Sequence, residues 1–264
     1  MDAYDPTALR PLISRGPVEL AGSPLTQWAD YAVDGSAEIA TAYNAPVAYE
    51  QTAHRYAKWT AKVNYEVPII GRNLPPVLSI GTWAGVLFTE YTLTFTVSVE
   101  EGTGGDDDWA RYAAKVYGWK VEATRWQASD SFGVFLGLLI AQSASTWASV
   151  AFTSPFGTGN VLVNKAAFSG GSKPSQETLG CTGQGAFTNA TTAPSPDPLV
   201  TALLAQMAGA ITNSYTTPTS FEVPEGSGYG IFKTVEFKVP SHDKVTKSFD
   251  LEGDGPFGPG IVTS

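Results

Sequence analysis

The stretch "VLFTEYTLTFTVSVEE" occupies residues 86–101. From Leu87 to Val99 the odd positions read Leu87, Thr89, Tyr91, Leu93, Phe95, Val97 and Val99; the even positions read Phe88, Glu90, Thr92, Thr94, Thr96 and Ser98. A two-residue period held this long belongs to a β-strand with one face in a core and one in water. The pattern predicts Tyr91, Leu93, Phe95, Val97 and Val99 pointing inward and a hydroxyl-rich opposite face.

The rest of the chain agrees with that class. Of 264 residues only 16% are charged, while 27 Gly and 18 Pro supply turns and seven Trp supply core bulk. The reading is mainly β, an antiparallel β-sandwich of jelly-roll-like type. Further strands are expected at 46–53, 61–70, 114–126, 132–141, 146–153 and 160–168, and again in "SFEVPE", "YGIFKTVEFKVP" and "KSFDLEG". One helix is expected near 198–212: Asp197 is placed to cap it, Pro198 suits its first position, and Leu199, Leu203, Met207 and Ile211 recur at helical spacing.

The organisation expected is an extended N-terminal arm over 1–40, with a helical turn near "PLTQWADYA", and a sandwich core over 41–168. A Pro/Gly/Ser-rich linker over 169–198 follows. Residues 199–264 then complete the same domain or form a small second one, ending in an extended tail. No internal repeat of fixed period is apparent.

Sixteen Lys and Arg stand against twenty-five Asp and Glu, a net charge of −9, and the basic residues are scattered. Direct nucleic-acid binding is therefore not expected, because phosphate neutralisation drives it. Cys181 is the sole cysteine, so no internal disulfide forms, and an inert buried thiol is expected. The first residues lack a signal peptide's basic and apolar regions. The most apolar run, 132–142, is too short to cross a bilayer, so no transmembrane segment is expected.

Candidate chemistry is sparse. His54 and His242 are the only histidines, and no nucleophile elbow or phosphate loop occurs. "GSGYGIF", Gly226 to Phe232, leads into a strand and offers no helix N-terminus. Glu90 and Glu122 are the nominees for a glycosidase-like carboxylate pair, although both read as solvated acids. Glu100, Glu101, Asp106, Asp107 and Asp108 crowd one Gly-rich loop and could offer oxygen ligands to calcium, but without EF-hand spacing they read as a solvated hairpin tip. Asn189 to Thr191 matches a glycosylation sequon. No catalytic, cofactor or metal site is assigned.

"GVLFTEYTLTF", Gly85 to Phe95, resembles a strand of the jelly-roll coat proteins of small icosahedral viruses. The resemblance implies a non-enzymatic coat subunit of a virion, whose partners are other copies of itself and other virion proteins. Two features depart from that pattern. In such coats this strand closes the shell domain, whereas most of the present chain follows it, and no basic arm is present. Two other classes compete: a β-pore-forming toxin inserting hairpins such as 86–99 or 145–170, and a glycan-binding or glycan-cleaving sandwich.

Overall fold

The computed structural model describes residues 17–25, 28–43, 50–67, 78–84, 88–104, 107–127, 137–138, 149–172, 174–189, 198–211, 218–241 and 244–259. The strands are β1 (Glu19–Leu20), β2 (Ser23–Pro24), β3 (Trp28–Tyr43), β4 (Glu50–Val67), β5 (Ser79–Ile80), β6 (Trp83–Ala84), β7 (Phe88–Glu101) and β8 (Tyr112–Trp126). They continue as β9 (Val150–Ser154), β10 (Gly157–Ser169), β11 (Gln176–Asn189), β12 (Thr219–Val223), β13 (Gly226–Pro240) and β14 (Val245–Gly253), with a helix α1 (Pro198–Ile211) between β11 and β12. All named strand pairs are antiparallel. The architecture is a mostly antiparallel, sandwich-like β fold with one named helix.

The opening stretch is β7, in the middle of this structure. Tyr91, Leu93 and Phe95 are at most 1% exposed, as their alternation demands. On the other face Thr94 is also buried, between its cross-strand neighbours Glu236 and Lys120. Short strands fold over the long ones: Trp83 of β6 packs edge-on to Phe88 at 5.0 Å, and Phe152 of β9 lies 5.5 Å from Trp119 of β8.

Several expectations need correction. The stretch 169–198 is not a plain linker, because β11 runs through it, pairing with β10 on one side and β8 on the other. Its glycines are there for packing: a Cβ on Gly183 would fall inside the Trp119 indole. The helical turn near 24–32 is strand from Trp28 onward, and Gly137 and Leu138, inside the run read as a strand, are helical. A short, wholly apolar run has no period to separate a buried helix from a buried strand. Within the stretch read as an arm, β1 pairs with β12 and β3 with β4; within the tail, Phe257 packs on Trp59 at 5.0 Å.

The largest correction is that the fold does contain a repeat. Adding 60 to both members turns Trp28↔Tyr65, Asp30↔Asn64 and Tyr31↔Val63 into Phe88↔Arg125, Glu90↔Thr124 and Tyr91↔Ala123, bulge included. Likewise Phe152↔Gly159 becomes Phe221↔Gly228 on adding 69. The bulge of β10 between Val163 and Lys165 falls, with the same addition, between Phe232 and Thr234 of β13. Gly183 and Phe187 correspond to Gly253 and Phe257, each pair 70 apart. The chain is thus two equivalent units, one nested in the other: a central unit (β5–β11) and a flanking unit (β1–β4 with β12–β14). Nesting explains why no fixed period is legible, since the shift changes from 60 to about 70 along the chain.

Each unit is organised around one tryptophan. The Trp119 indole lies over Gly159 and Gly183, and that of Trp59 over Gly228 and Gly253. Each indole N–H donates to a carbonyl two residues beyond the glycine it covers, Gly185 at 3.1 Å and Gly255 at 3.0 Å. Those two glycines have φ of 75° and 91°, a region unfavourable to other residues. The units are joined where β13 pairs with β7, Thr234↔Thr96 through Pro240↔Glu90. Helix α1 adds a second tie: the Gln206 side-chain oxygen accepts from Phe232 N–H, and its carbonyl accepts from the Tyr117 hydroxyl, both at 3.0 Å.

Gly183→Ala should therefore destabilise the protein by about 1–3 kcal/mol in denaturant unfolding. Gly102→Ala, where a Cβ meets nothing within 4 Å, should stay within about 0.5 kcal/mol.

Candidate functional site at the open edges of the sheet

The nominated acids do not converge on a cleft. Glu90 on β7 is ion-paired with Lys238 at 3.3 Å, and Glu122 on β8 with Lys165 at 3.0 Å, all four side chains being about half exposed. Glu101 accepts from Tyr56, from Lys58 at 3.2 Å and from Thr103 of its own loop at 3.1 Å, while Glu100 pairs with Lys115. Asp107 accepts from Gly104 N–H at 2.8 Å. Among the described residues no group of three or more His, Cys, Asp and Glu could hold a metal ion. Asp106, His242 and Thr191 lie outside the described residues, as does the side chain of His54 on β4; Asn189 ends β11. Cys181 is buried, and burial pushes its thiol up to about 12. Among the described residues no helix is long and apolar enough to cross a membrane.

The feature that stands out is geometric. In the flanking unit a cavity of about 680 Å³ opens beside β3, walled by Tyr31, Val33, Gly35, Trp59, Glu225 and Phe257. The repeat assigns each of these a counterpart in the central unit: Tyr91, Leu93, Phe95, Trp119, Phe156 and Phe187. That place is filled. Phe95 has taken the position of Gly35, Phe156 that of Glu225, and Phe237 of the flanking unit packs on both, at 6.2 and 4.5 Å. Phe237 arrives on β13, the strand that pairs with β7. Along β3, the counterpart of β7, no described strand occupies the corresponding edge; β3 pairs with β4 alone.

Part of β10 is uncovered in the same way. β9 covers β10 only as far as Val161, so no described strand lies along the outer edge at Lys165–Ser169. That segment corresponds to the part of β13 that holds β7. Such an arrangement can donate and accept backbone hydrogen bonds along two edges and bury an apolar side chain in the cavity. Ser36 and Lys58 also line the cavity, and the Lys58 ammonium is ion-paired with both Glu38 and Glu101 at 3.2 Å. Sequence reasoning missed the cavity because its walls come from β3, β4, the β12–β13 turn and the segment after β14.

Polar groups at the unit centres show how far the two copies have diverged. In the central unit Glu177 and Arg125 form a buried ion pair at 3.1 Å, and Trp83 N–H donates to Glu177 at 2.9 Å. The same cross-strand position in the flanking unit holds Lys247 and Tyr65. Lys247 is 5% exposed, with its ammonium 5.5 Å from the Tyr65 ring and 5.6 Å from that of Phe156. Burial lowers it to about 8.

No protein-family model and no curated protein matches the chain. Among solved structures it overlaps a chain from the tail of an empty GTA particle, computed with C6 symmetry, at TM-score 0.36 and 8% identity. That overlap covers 44% of this chain and 96% of the other. It also overlaps a chain of the virion of a native gene transfer agent particle, at TM-score 0.37 and 10% identity, with the same coverages. At these scores neither overlap implies a shared fold.

Lys247 yields a pH prediction. Its folded pKa lies below the unfolded value, so between about pH 8 and 10.5 the unfolded chain holds a proton the folded one has released, and stability rises with pH. Cys181 works the other way above pH 9, which makes Lys247→Met the proper reference. The wild type should gain up to about 3 kcal/mol on that variant between pH 8 and 10.5 in chemical denaturation; a constant difference would refute the assignment.

Proposed function

We propose that this protein is a structural subunit of a virus or phage particle, a coat or another component of the particle wall. It works by self-association and carries out no catalysis. The observation that carries the reading is that, among the described residues, no strand lies along the β3 edge beside the cavity of the flanking unit, and none lies along β10 at Lys165–Ser169. Soluble monomers shield strand edges of this length, because an open edge is a template for another chain. Large apolar side chains at the surface agree, Phe168 being 48% and Val116 65% exposed.

The nominated acids support a role without chemistry, since each is held in an ion pair on the sheet surface. The virion assignment draws on the resemblance of Gly85–Phe95 to a coat-protein strand and on the Gly-, Ser- and Thr-rich, charge-poor composition. The expected partners are further copies of the chain and other wall proteins. With a net charge of −9, contact with nucleic acid is not part of the reading.

Purified protein should sediment as oligomers or larger particles at micromolar concentration, and negative-stain electron microscopy should show rings, tubes or shells. A monomer that persists at all concentrations would sink the proposal.

A further inference from the structure

The repeat makes the proposed self-association specific. Within the chain, the β13 edge of the flanking unit pairs with the β7 edge of the central unit. The counterpart of β13 is β10, and the counterpart of β7 is β3; along the matching edges of both, at Lys165–Ser169 and along β3, no described strand lies. We propose that β10 of one copy pairs with β3 of the next, repeating between chains the junction that β13 and β7 make within one. The inference rests on the self-association reading above and names its interface.

The repeat also supplies the register. Thr234↔Thr96, Val235↔Phe95, Glu236↔Thr94, Phe237↔Leu93 and Lys238↔Thr92 are observed. Subtracting 69 on the first strand and 60 on the second gives Lys165↔Ser36, Ala166↔Gly35, Ala167↔Asp34, Phe168↔Val33 and Ser169↔Ala32. The face of each strand is preserved: Tyr31 and Val33 face the core side of β3 and are half-buried, while Asp30, Ala32, Asp34 and Ser36 are exposed.

Side chains fit this junction from both directions. Phe168 is 48% exposed, yet its counterpart Phe237 is fully buried, packed on Phe95 and Phe156. The positions equivalent to Phe95 and Phe156 are Gly35 and Glu225, two walls of the cavity beside β3. Phe168 of a neighbouring copy therefore enters that cavity, where Gly35 leaves the room that Phe95 occupies in the central unit.

Val116 points to the same contact independently. It is 65% exposed, whereas its counterpart Tyr56 is 7% exposed, under the segment that joins β7 to β8. That segment is tied to β4 by Ala57 N–H donating to Asp108 O at 2.9 Å and Ala110 N–H donating to Ala57 O at 2.8 Å. Of the four exposed large apolar residues among the described residues, these two occupy places that are covered in the other unit.

An edge-to-edge contact of this kind is heterologous. Each copy uses one surface to bind the next and a different surface to bind the previous one, so the assembly grows until it closes as a ring or continues as a helix. In either case the continuous sheet β3–β4–β14–β13–β7–β8–β11–β10 extends from chain to chain.

The test is site-directed linking of the full chain. Ala167→Cys together with Asp34→Cys places the two thiols opposite each other across the junction, both at exposed positions, while native Cys181 is buried. With a short thiol-bridging reagent the double variant should give a ladder of dimers, trimers and higher species on a denaturing gel. A mixture of the two single variants should give dimers and nothing larger, and neither single variant should link alone. In parallel, Phe168→Glu and Val33→Glu should each lower the assembled fraction at least tenfold with an unchanged circular-dichroism spectrum. Mixed together they should form a one-to-one complex, since each retains the edge the other has lost.

If the wild type assembles but no link forms, or Ala167→Cys links to itself, this junction is wrong and the structural role stands. If the wild type neither assembles nor links, both readings fall.

Discussion

A tryptophan laid flat across neighbouring strands needs strands with no Cβ beneath it, and this fold meets that requirement twice. Trp59 and Trp119 each cover glycines on two adjacent strands and anchor their indole N–H to a backbone carbonyl just past them. Burying one indole in this way is worth up to roughly 4–6 kcal/mol of apolar transfer. The glycines cost conformational entropy on folding, and the ring covering them offsets it. The two G-x-G-x-F segments, Gly183 to Phe187 and Gly253 to Phe257, follow from this constraint: the first glycine admits the ring, the second turns the backbone to present its carbonyl, and the phenylalanine closes over the hairpin glycines at 157 and 226.

Around that shared frame the two units have taken different fillings. In the central unit Phe95 packs on Phe187, and Phe237 of the flanking unit packs on both Phe95 and Phe156. In the flanking unit Gly35 and Glu225 stand where two of those rings would be, and a cavity remains. The buried charge differs as well: an Arg125–Glu177 pair in one unit, and Lys247 among Tyr65 and Phe156 in the other. A buried pair needs both members, and where the central unit sets Arg125 against Glu177 the flanking unit sets the Tyr65 ring beside Lys247. One architecture thus carries a filled aromatic cluster in one unit and a cavity at the corresponding place in the other.

Strand β7 was legible because its two faces differ in polarity, and helix α1 because Asp197 and Pro198 mark its start and leucines recur along it. Strand β11 was not, because "LGCTGQGAF" has the composition of a loop; its glycines are a strand's concession to Trp119, and nothing local says so. The apolar run around Gly137 and Leu138 carries no period that separates a helix from a strand. The two-unit construction escaped because its halves share glycines, aromatics and bulge positions and little else, and because one half is split around the other.

The residues alone determined the class of this protein: alternation, turn density and aromatic content require a β-rich core, since only a sheet buries every second residue of so long a segment. Tertiary structure alone decided which edges no described strand covers, what the glycines are for, and where an exposed phenylalanine has its buried twin. Those are properties of pairing between segments up to about two hundred residues apart, as with Leu20 and Phe221. Register between distant strands is set by packing on both faces at once, which no local pattern records.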